Sequence, residues 1–415
     1  MKTFSRHARA LQWLDHRFGV PLCWLLTGAR RVRDAFGPGA PSGAGWRSIV
    51  FVKLAEQGST VLAAATLRAA VDRVGRARVF ILVFEDNRFI VDVLGLLPPE
   101  NVLTIQTRSP WTMAVSALRQ LRALRRRRIE ACVDLEFFAR SSAAISYLTG
   151  ARWRSGFHTW FGDGPYRGDL LTHRVLYNPH LHTSAAFASL LAALNADPDK
   201  MPLLDARIAV AAELPRFHTT DAERLEVSTL LAAAGIPADA PLILLNANAG
   251  DLLPLRRWAG ANYVALAQRL LREFDRAVIA FTGSPEEAAA TAELVRAVDS
   301  PRCVDLAGRT SLRQLMVVYE RADVLVTNDS GPAHFAALTG IDVVALFGPE
   351  TPALFAALGP RSHPLWAGIP CSPCVNAYNN RRTACRDNIC MQRLSVDLVF
   401  AKVGEICRRR VAPSV

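Results

Sequence analysis

The sequence predicts an α/β protein with two Rossmann-like halves, and three observations carry that prediction. At 415 residues the chain exceeds what one core ordinarily fills. Short runs rich in Val, Ile, Leu and Phe alternate with amphipathic stretches of helical period, as in a parallel sheet covered on both faces. The alternation blurs between residues 151 and 225 and then restarts, which divides the chain. With 51% apolar and 21% charged residues, the composition is that of a globular protein.

In order, residues 1–45 read as an amphipathic, basic helical extension and linker, 46–225 as the first domain, 226–395 as the second, and 396–415 as a closing helix. In the extension, Leu11, Leu14 and Phe18 share one helical face before Gly19 and Pro21 punctuate the chain. A second helix then places Leu22, Leu25, Leu26, Ala29, Val32 and Phe36 on one face and Arg30, Arg31 and Arg33 on another. Asp15, His16 and Arg17 interrupt what would otherwise resemble a signal peptide. Two readings stand: an anchor lying among lipid headgroups, or a pair of helices packed on the main body. GPGAPSGAG, residues 37–45, reads as a linker.

Strands are expected at Ser48–Leu54, Arg78–Phe84, Asn101–Ile105 and Ile129–Leu135, with a helix over 60–73. The second half is clearer. Pro241–Asn246, Ala277–Thr282, Cys303–Leu306, Val324–Thr327 and Val343–Phe347 read as strands, and 261–274 and 285–298 as helices. Two such domains facing a cleft would hold ligands at the carboxyl ends of their strands.

Lys and Arg number 49 against 37 Asp and Glu, so 49 − 37 = +12. That balance favours phosphorylated substrates, nucleic acid or an acidic membrane face. No zinc-finger spacing, RNA-binding signature or helix-turn-helix pattern supports nucleic acid. No apolar run approaches the ~20 residues of a membrane-spanning helix.

The chemistry concentrates in Asp329-Ser330-Gly331-Pro332-Ala333-His334, at the carboxyl end of one expected strand and the start of a helix. Free backbone N–H groups there suit an anion. Gly331 would let a phosphate approach the backbone, the Ser330 hydroxyl would add a hydrogen bond, and His334 would point the same way. Asp329 suits a sugar hydroxyl better than a phosphate. Ordinary helix capping explains the same residue types.

With ALFGPETP at 345–352, Arg256-Arg257-Trp258, FTGSPEE at 281–287 and AGRTSLRQL at 307–315, the second half resembles glycosyltransferase family 9, the lipopolysaccharide heptosyltransferases. The resemblance implies a GT-B fold and an inverting transfer of a sugar, typically heptose from ADP-heptose, to a lipid-linked glycan acceptor. The second domain would then bind the nucleotide sugar and the first the acceptor. In the family's pattern Asp329, Ser330, Gly331 and His334 contact the donor, and Glu350 and Thr351 line the nucleotide pocket. Arg256 stands where the family usually has a lysine that neutralises the departing diphosphate, a role a bidentate guanidinium can fill. No catalytic metal is required.

The first domain departs from this pattern. Where the family has Gly-Asp after the first strand, with the aspartate as general base, this chain has Gly58-Ser59. A serine hydroxyl is hardly ionised near neutral pH and cannot serve unaided. Glu56 on the same loop is the nearest carboxylate, with Asp86 and Asp134 at the ends of other strands as alternatives. Ser59 would otherwise cap a helix beginning at Thr60.

Cys371, Cys374, Cys385 and Cys390 crowd into twenty residues, a spacing compatible with a structural zinc or iron site, with disulfides, or with free thiols. Cys23, Cys132, Cys303 and Cys407 read as packing residues. Arg125–Arg128, after Arg119 and Arg122, form a basic helix end that favours the helix dipole or meets phosphate groups at a membrane. The chain is therefore expected to be a cytoplasmic glycosyltransferase, peripheral at the inner face of a bacterial inner membrane. A nucleotide-sugar epimerase and a lapsed sugar-nucleotide-binding protein are the alternatives.

Overall fold

The computed structural model describes residues 2–37, 41, 43, 45–160, 166–200, 203–204, 207–208, 213–250 and 253–411; between 2 and 16 only the side chain of Asp15 is described. The side chains of Leu11 and Leu14, and most of the expected linker, lie outside the described residues.

The chain forms two units. The first comprises Lys2–Ala211 together with Ala377–Arg381, the second Ala212–Asn376 and Arg382–Val415. In the first, the elements are α1 (Lys2–Ala35), β1 (Ile49–Val52), α2 (Gln57–Leu62), α3 (Ala64–Val74), β2 (Val79–Phe84), α4 (Arg88–Leu94), β3 (Val102–Ile105), α5 (Pro110–Arg126), β4 (Ala131–Asp134), α6 (Arg140–Leu148), β5 (Trp153–His158), β6 (His173–Leu176) and α7 (Thr183–Ala193). Its six strands run parallel in the order β3-β2-β1-β4-β5-β6.

The second contains α8 (Asp221–Ala233), β7 (Leu242–Asn246), α9 (Gly260–Glu273), β8 (Val278–Phe281), α10 (Ala288–Val298), β9 (Cys303–Asp305), α11 (Leu312–Arg321), β10 (Val324–Asn328), α12 (Gly331–Ala336), β11 (Asp342–Phe347), α13 (Pro352–Phe355), β12 (Ser362–Trp366), α14 (Ile389–Gln392) and α15 (Val396–Val411). Its parallel order is β12-β11-β10-β7-β8-β9. Seen from the opposite edge this is the same third-second-first-fourth-fifth-sixth arrangement. Each sheet therefore reverses direction beside its first strand, at β1/β4 and at β7/β10, where α/β sheets place their ligands.

The strands form because their apolar runs are buried on both faces. Residues 49–52, 131–134, 242–246 and 324–328 are buried throughout. In the second unit Ile243, Leu245, Val324 and Val326 share a core with Leu266 and Leu270 of α9 and with Val399, Val403 and Ile406 of α15. At the amino end of that sheet, Arg409 and Arg410 of α15 bond the buried Asp342 carboxylate at 3.0 and 2.8 Å, and His363 bonds it at 2.8 Å. Burial alone would raise the Asp342 pKa; these partners hold it below its ordinary value.

Several local expectations change. The extension is one helix, α1, with Pro21 inside it and not at a break. Gly19 is a packing residue: a Cβ there would come within 2.7 Å of the Arg140 side chain. The helix expected from Thr60 begins at Gln57 and is interrupted at Ala63 between α2 and α3. The blurred stretch conceals β5 and β6 because polar side chains occupy buried positions. Arg154, buried in β5, donates from Nε to the Leu170 carbonyl at 2.7 Å. β12 has the pattern of an edge strand, half exposed along its length, and carries Pro364.

Candidate functional site

Three neighbouring strands of the second sheet end together. Thr327 pairs with Asn246 and Asn328 with Leu346, so the loops leaving β7, β10 and β11 emerge side by side. They carry Arg256, the Asp329–His334 motif, and Glu350 with Thr351. Asn328 ties the first two loops together across the β7/β10 reversal. Its amide nitrogen donates to the carbonyls of Ala247 and Asn248, both at 3.1 Å, and its oxygen accepts the Trp258 backbone N–H at 2.9 Å. Trp258 is buried and anchors the Arg256 loop from below, its indole N–H donating to the Leu394 carbonyl at 2.8 Å. The Asp329 N–H donates to the Leu346 carbonyl at 2.9 Å, fixing the turn to β11.

Asp329, His334, Glu350 and Thr351 are all buried. Four polar side chains buried at one sheet edge are costly to assemble unless they serve one another or a ligand. Gly331 is outside the left-handed backbone region; its missing side chain matters for room, since a Cβ would sit 3.3 Å from the Phe335 ring. Ser330 is the helix N-cap residue but its hydroxyl does not cap the helix; it donates back to the Asn328 carbonyl at 3.1 Å, so what it offers outward is an acceptor. Thr351 caps α13, accepting from the Ala353 N–H at 3.3 Å. Arg256 anchors one guanidinium nitrogen on the Ala249 carbonyl at 3.1 Å, while its buried Nε has no hydrogen-bond partner among the described residues.

The carboxyl edge of the first sheet is built differently. Lys53, fully buried just after β1, bonds Glu136 just after β4 at 3.1 Å and so bridges the β1/β4 reversal. Glu56 follows with φ 65° and ψ 78°, a left-handed conformation uncommon for a residue with a side chain. Its carboxylate pairs with Arg381 and accepts the Ser59 hydroxyl at 3.2 Å. Desolvation works to raise the Glu56 pKa, but Arg381 and Lys53, with the Arg381 and Ser59 hydrogen bonds, outweigh it and bring the pKa down to about 2. Ser59 does not cap a helix from Thr60; it lies within α2, beside Gly58, and holds Glu56. Asp86, exposed at the end of β2, has its pKa raised by partial burial and by Glu85. Asp134 is fully buried against Arg167 and Ser142, a structural carboxylate sealed from solvent.

Arg381 reaches Glu56 because residues 377–381, between Cys374 and Cys385, belong to the first unit. Tyr378 inserts among Phe138 and Tyr177, its hydroxyl donating to the Tyr177 carbonyl at 2.6 Å. Among the described residues no group of three or more His, Cys, Asp or Glu side chains is arranged to hold a metal ion, the four clustered cysteines included. Cys371 is exposed, Cys390 is buried, and the Cys385 thiol donates to the Asp387 carbonyl at 2.9 Å. Burial raises the Cys390 pKa, against a hydrogen bond from the Met391 backbone, and Cys374, Cys371 and Cys385 raise it further. Backbone N–H groups do the supporting work: Cys374 and Val375 donate to the Pro349 carbonyl at 3.0 and 3.2 Å, bracing the loop that presents Glu350.

Sequence reasoning missed Asn328 and Arg381. Asn328 was legible as the polar end of a strand directly before Asp329; nothing in the spacing connects Arg381 to Glu56, 325 residues away.

Comparison with known proteins places the chain in a family. Lipopolysaccharide heptosyltransferase 2 of Salmonella typhimurium is 31% identical over 141 residues, 33% of this chain and 39% of that protein. Its Escherichia coli counterpart is 35% identical over 102 residues, 24% of this chain and 29% of the relative. The matches thus span well under half the length of these relatives. Among solved structures, the E. coli ADP-heptose LPS heptosyltransferase II has a TM-score of 0.66 at 18% identity, covering 88% of this chain and all of that one. A family 9 glycosyltransferase from Veillonella parvula scores 0.66 at 16% identity, covering 87% and 97%. Both show the GT-B-like fold of two Rossmann-like domains. Residues 117–384, more than half of the chain, match the model of glycosyltransferase family 9 (heptosyltransferase), and the chain belongs to that family.

Proposed function

We propose that this protein is an inverting glycosyltransferase that moves a sugar, heptose from ADP-heptose, onto a lipid-linked glycan of the lipopolysaccharide core type at the inner face of a bacterial inner membrane. The observation that carries the reading is the assembly of Arg256, Asp329–His334 and Glu350–Thr351 on three adjacent strand ends, tied across the sheet's reversal by Asn328. The relatives named above are heptosyltransferases, which supports the donor.

In the second unit the donor's diphosphate lies against the Ser330–Gly331 backbone, and Asp329 accepts from a sugar hydroxyl. Arg256 and His334 stabilise the negative charge that grows on the departing diphosphate, a task needing fixed donors and no metal ion. Glu350 and Thr351 line the nucleotide side. In the first unit Glu56, beside Gly58 and Ser59, takes the acceptor's proton. Its pairing with Arg381 keeps it ionised, the form a base needs, but makes it a weak one. The proton therefore transfers late, after the hydroxyl oxygen has begun to bond the anomeric carbon.

Calorimetric titration with ADP, UDP, GDP and CDP, repeated on His334→Ala, tests the donor site. Selective ADP binding that the substitution weakens is expected; preference for another nucleotide would discard the heptose donor, and no binding at all would discard the site. A second reading, a sugar-nucleotide-binding protein whose catalysis has lapsed, draws on the Glu56–Arg381 pair. Donor turnover in the wild type that is lost in Glu56→Gln excludes it.

A further inference from the structure

Helix α1 packs on the first unit by the face that its sequence pattern makes the less apolar one. Cys23 is fully buried with Ala143 and Tyr147 of α6 and Leu170, and Leu26 packs beside them. Thr27 accepts the Asp169 N–H at 2.9 Å, and Arg30 pairs with Asp169. The apolar stripe Leu22, Leu25, Ala29, Val32 and Phe36, spaced three and four residues apart, consequently faces solvent: Leu25 is 60% exposed, Val32 63% and Phe36 90%. Burying such a stripe is ordinarily what holds an amphipathic helix in place.

A second helix of the first unit does likewise. α5 and α6 cover one face of the first sheet, contributing Met113, Ala117, Leu124 and Ile145 to one core, and α1 lies on α6. α5 presents Trp111, 76% exposed, with Val115 and Leu118 at i+4 and i+7. Contiguous exposed apolar surface of this kind marks a binding face.

Charge identifies the occupant. Arg17, Trp24 and Arg31 are exposed at seven-residue spacing along one border of the α1 stripe, with Arg33 on the other. Asp15, which accepts the Ser141 N–H at 2.7 Å, is turned to the body of the unit, and Asp34 is paired with Arg30 at 3.2 Å. From Gln106 to Arg128 there is no acidic residue, and Arg119, Arg122 and Arg125–Arg128 are all exposed. A second copy of the chain would bring these arginine rows against each other, whereas anionic headgroups neutralise them while the apolar side chains enter the acyl boundary. We infer that the outer faces of α1 and α5 form a docking surface for an anionic lipid bilayer. This deepens the proposed membrane location by naming the surface responsible, and makes no use of the nucleotide site.

The test is sedimentation of the full chain with vesicles of phosphatidylcholine alone or mixed with phosphatidylglycerol. The wild type should sediment with the mixed vesicles and much less with neutral ones. Leu25→Asp/Val32→Asp should lower vesicle affinity about tenfold or more. Arg119→Gln/Arg122→Gln/Arg126→Gln should weaken it and flatten its salt dependence. All these positions are exposed, so melting temperature and ADP binding report independently on folding and on the donor site. A wild type that ignores anionic vesicles, or apolar variants that sediment like it, would overturn the inference. So would a concentration-dependent dimer abolished by Leu25→Asp, which assigns the stripe to a second copy. Loss of ADP binding with vesicle binding intact would instead count against the donor site alone.

Discussion

The two units repeat one topology and use its reversal point in opposite ways. At β7/β10 the span is made by a neutral side chain, Asn328, which bonds the backbone of the flanking loop. At β1/β4 the span is itself an ion pair, Lys53 with Glu136, and the next carboxylate, Glu56, is held by Arg381. One crossover is spanned by an amide, the other by an ion pair. A fold fixes where a site can be, and the choice between an amide and an ion pair at the crossover decides what it can bind.

The sharpest way to break this contrast is Arg256→Ala. If the second edge holds a departing diphosphate, kcat should fall about 10²–10³-fold in a sugar-transfer assay, with Arg256→Lys recovering part of it. Glu56→Gln comes next, with a loss of about 10²-fold in kcat and ADP affinity unchanged by calorimetry. A larger loss in Asp86→Asn would move the base to the carboxylate whose pKa is raised. Away from both edges, Asp342→Asn should cost about 2 kcal/mol in denaturant unfolding, because it strips Arg409, Arg410 and His363 of a shared buried acceptor.

The smallest effect at neutral pH belongs to Arg381→Ala, under about 1 kcal/mol because the pair is partly exposed. Its signature lies in acid. The folded Glu56 carboxyl, at about 2, sits below its ordinary 4.5, so the pair's stabilisation is complete above pH 4.5 and lost as pH falls through about 2. Removing Arg381 should reduce that acid-limb dependence in stability and raise the Glu56 pKa, which carbon-13 NMR of the carboxyl would read directly.

Much of this was legible in the sequence where one physical signal dominated. The apolar runs of β1, β7, β10 and β11 are continuous because both faces are buried, and turn chemistry marks the loops after them. The Asp329–His334 motif was legible because its residues are contiguous. β5 was not, since its buried Arg154 is satisfied by neighbours that only the fold supplies. Periodicity located the apolar stripe of α1 but not which way it turns; Gly19 and Cys23 make a closer contact with α6 than leucines would, and Thr27 accepts the Asp169 N–H. The cysteine spacing suggested a metal, a disulfide or free thiols; among the described residues the four thiols form no ligand set, while the segment's backbone braces Pro349 and Tyr378 joins the aromatic cluster of the first unit.

Residues 377–381 complete the first unit, and α15 completes the core of the second. Synthesis runs from the amino end, so the strands of the second unit leave the ribosome before the helix that covers them. That unit must wait for Val399, Val403 and Ile406, in the final tenth of the chain. Its sheet therefore spends much of translation with exposed apolar surface. The first unit gains only residues 377–381 so late, and its apolar core clusters are complete without them. A ribosome stalled before residue 377 would display one nearly finished domain beside one open, chaperone-dependent half.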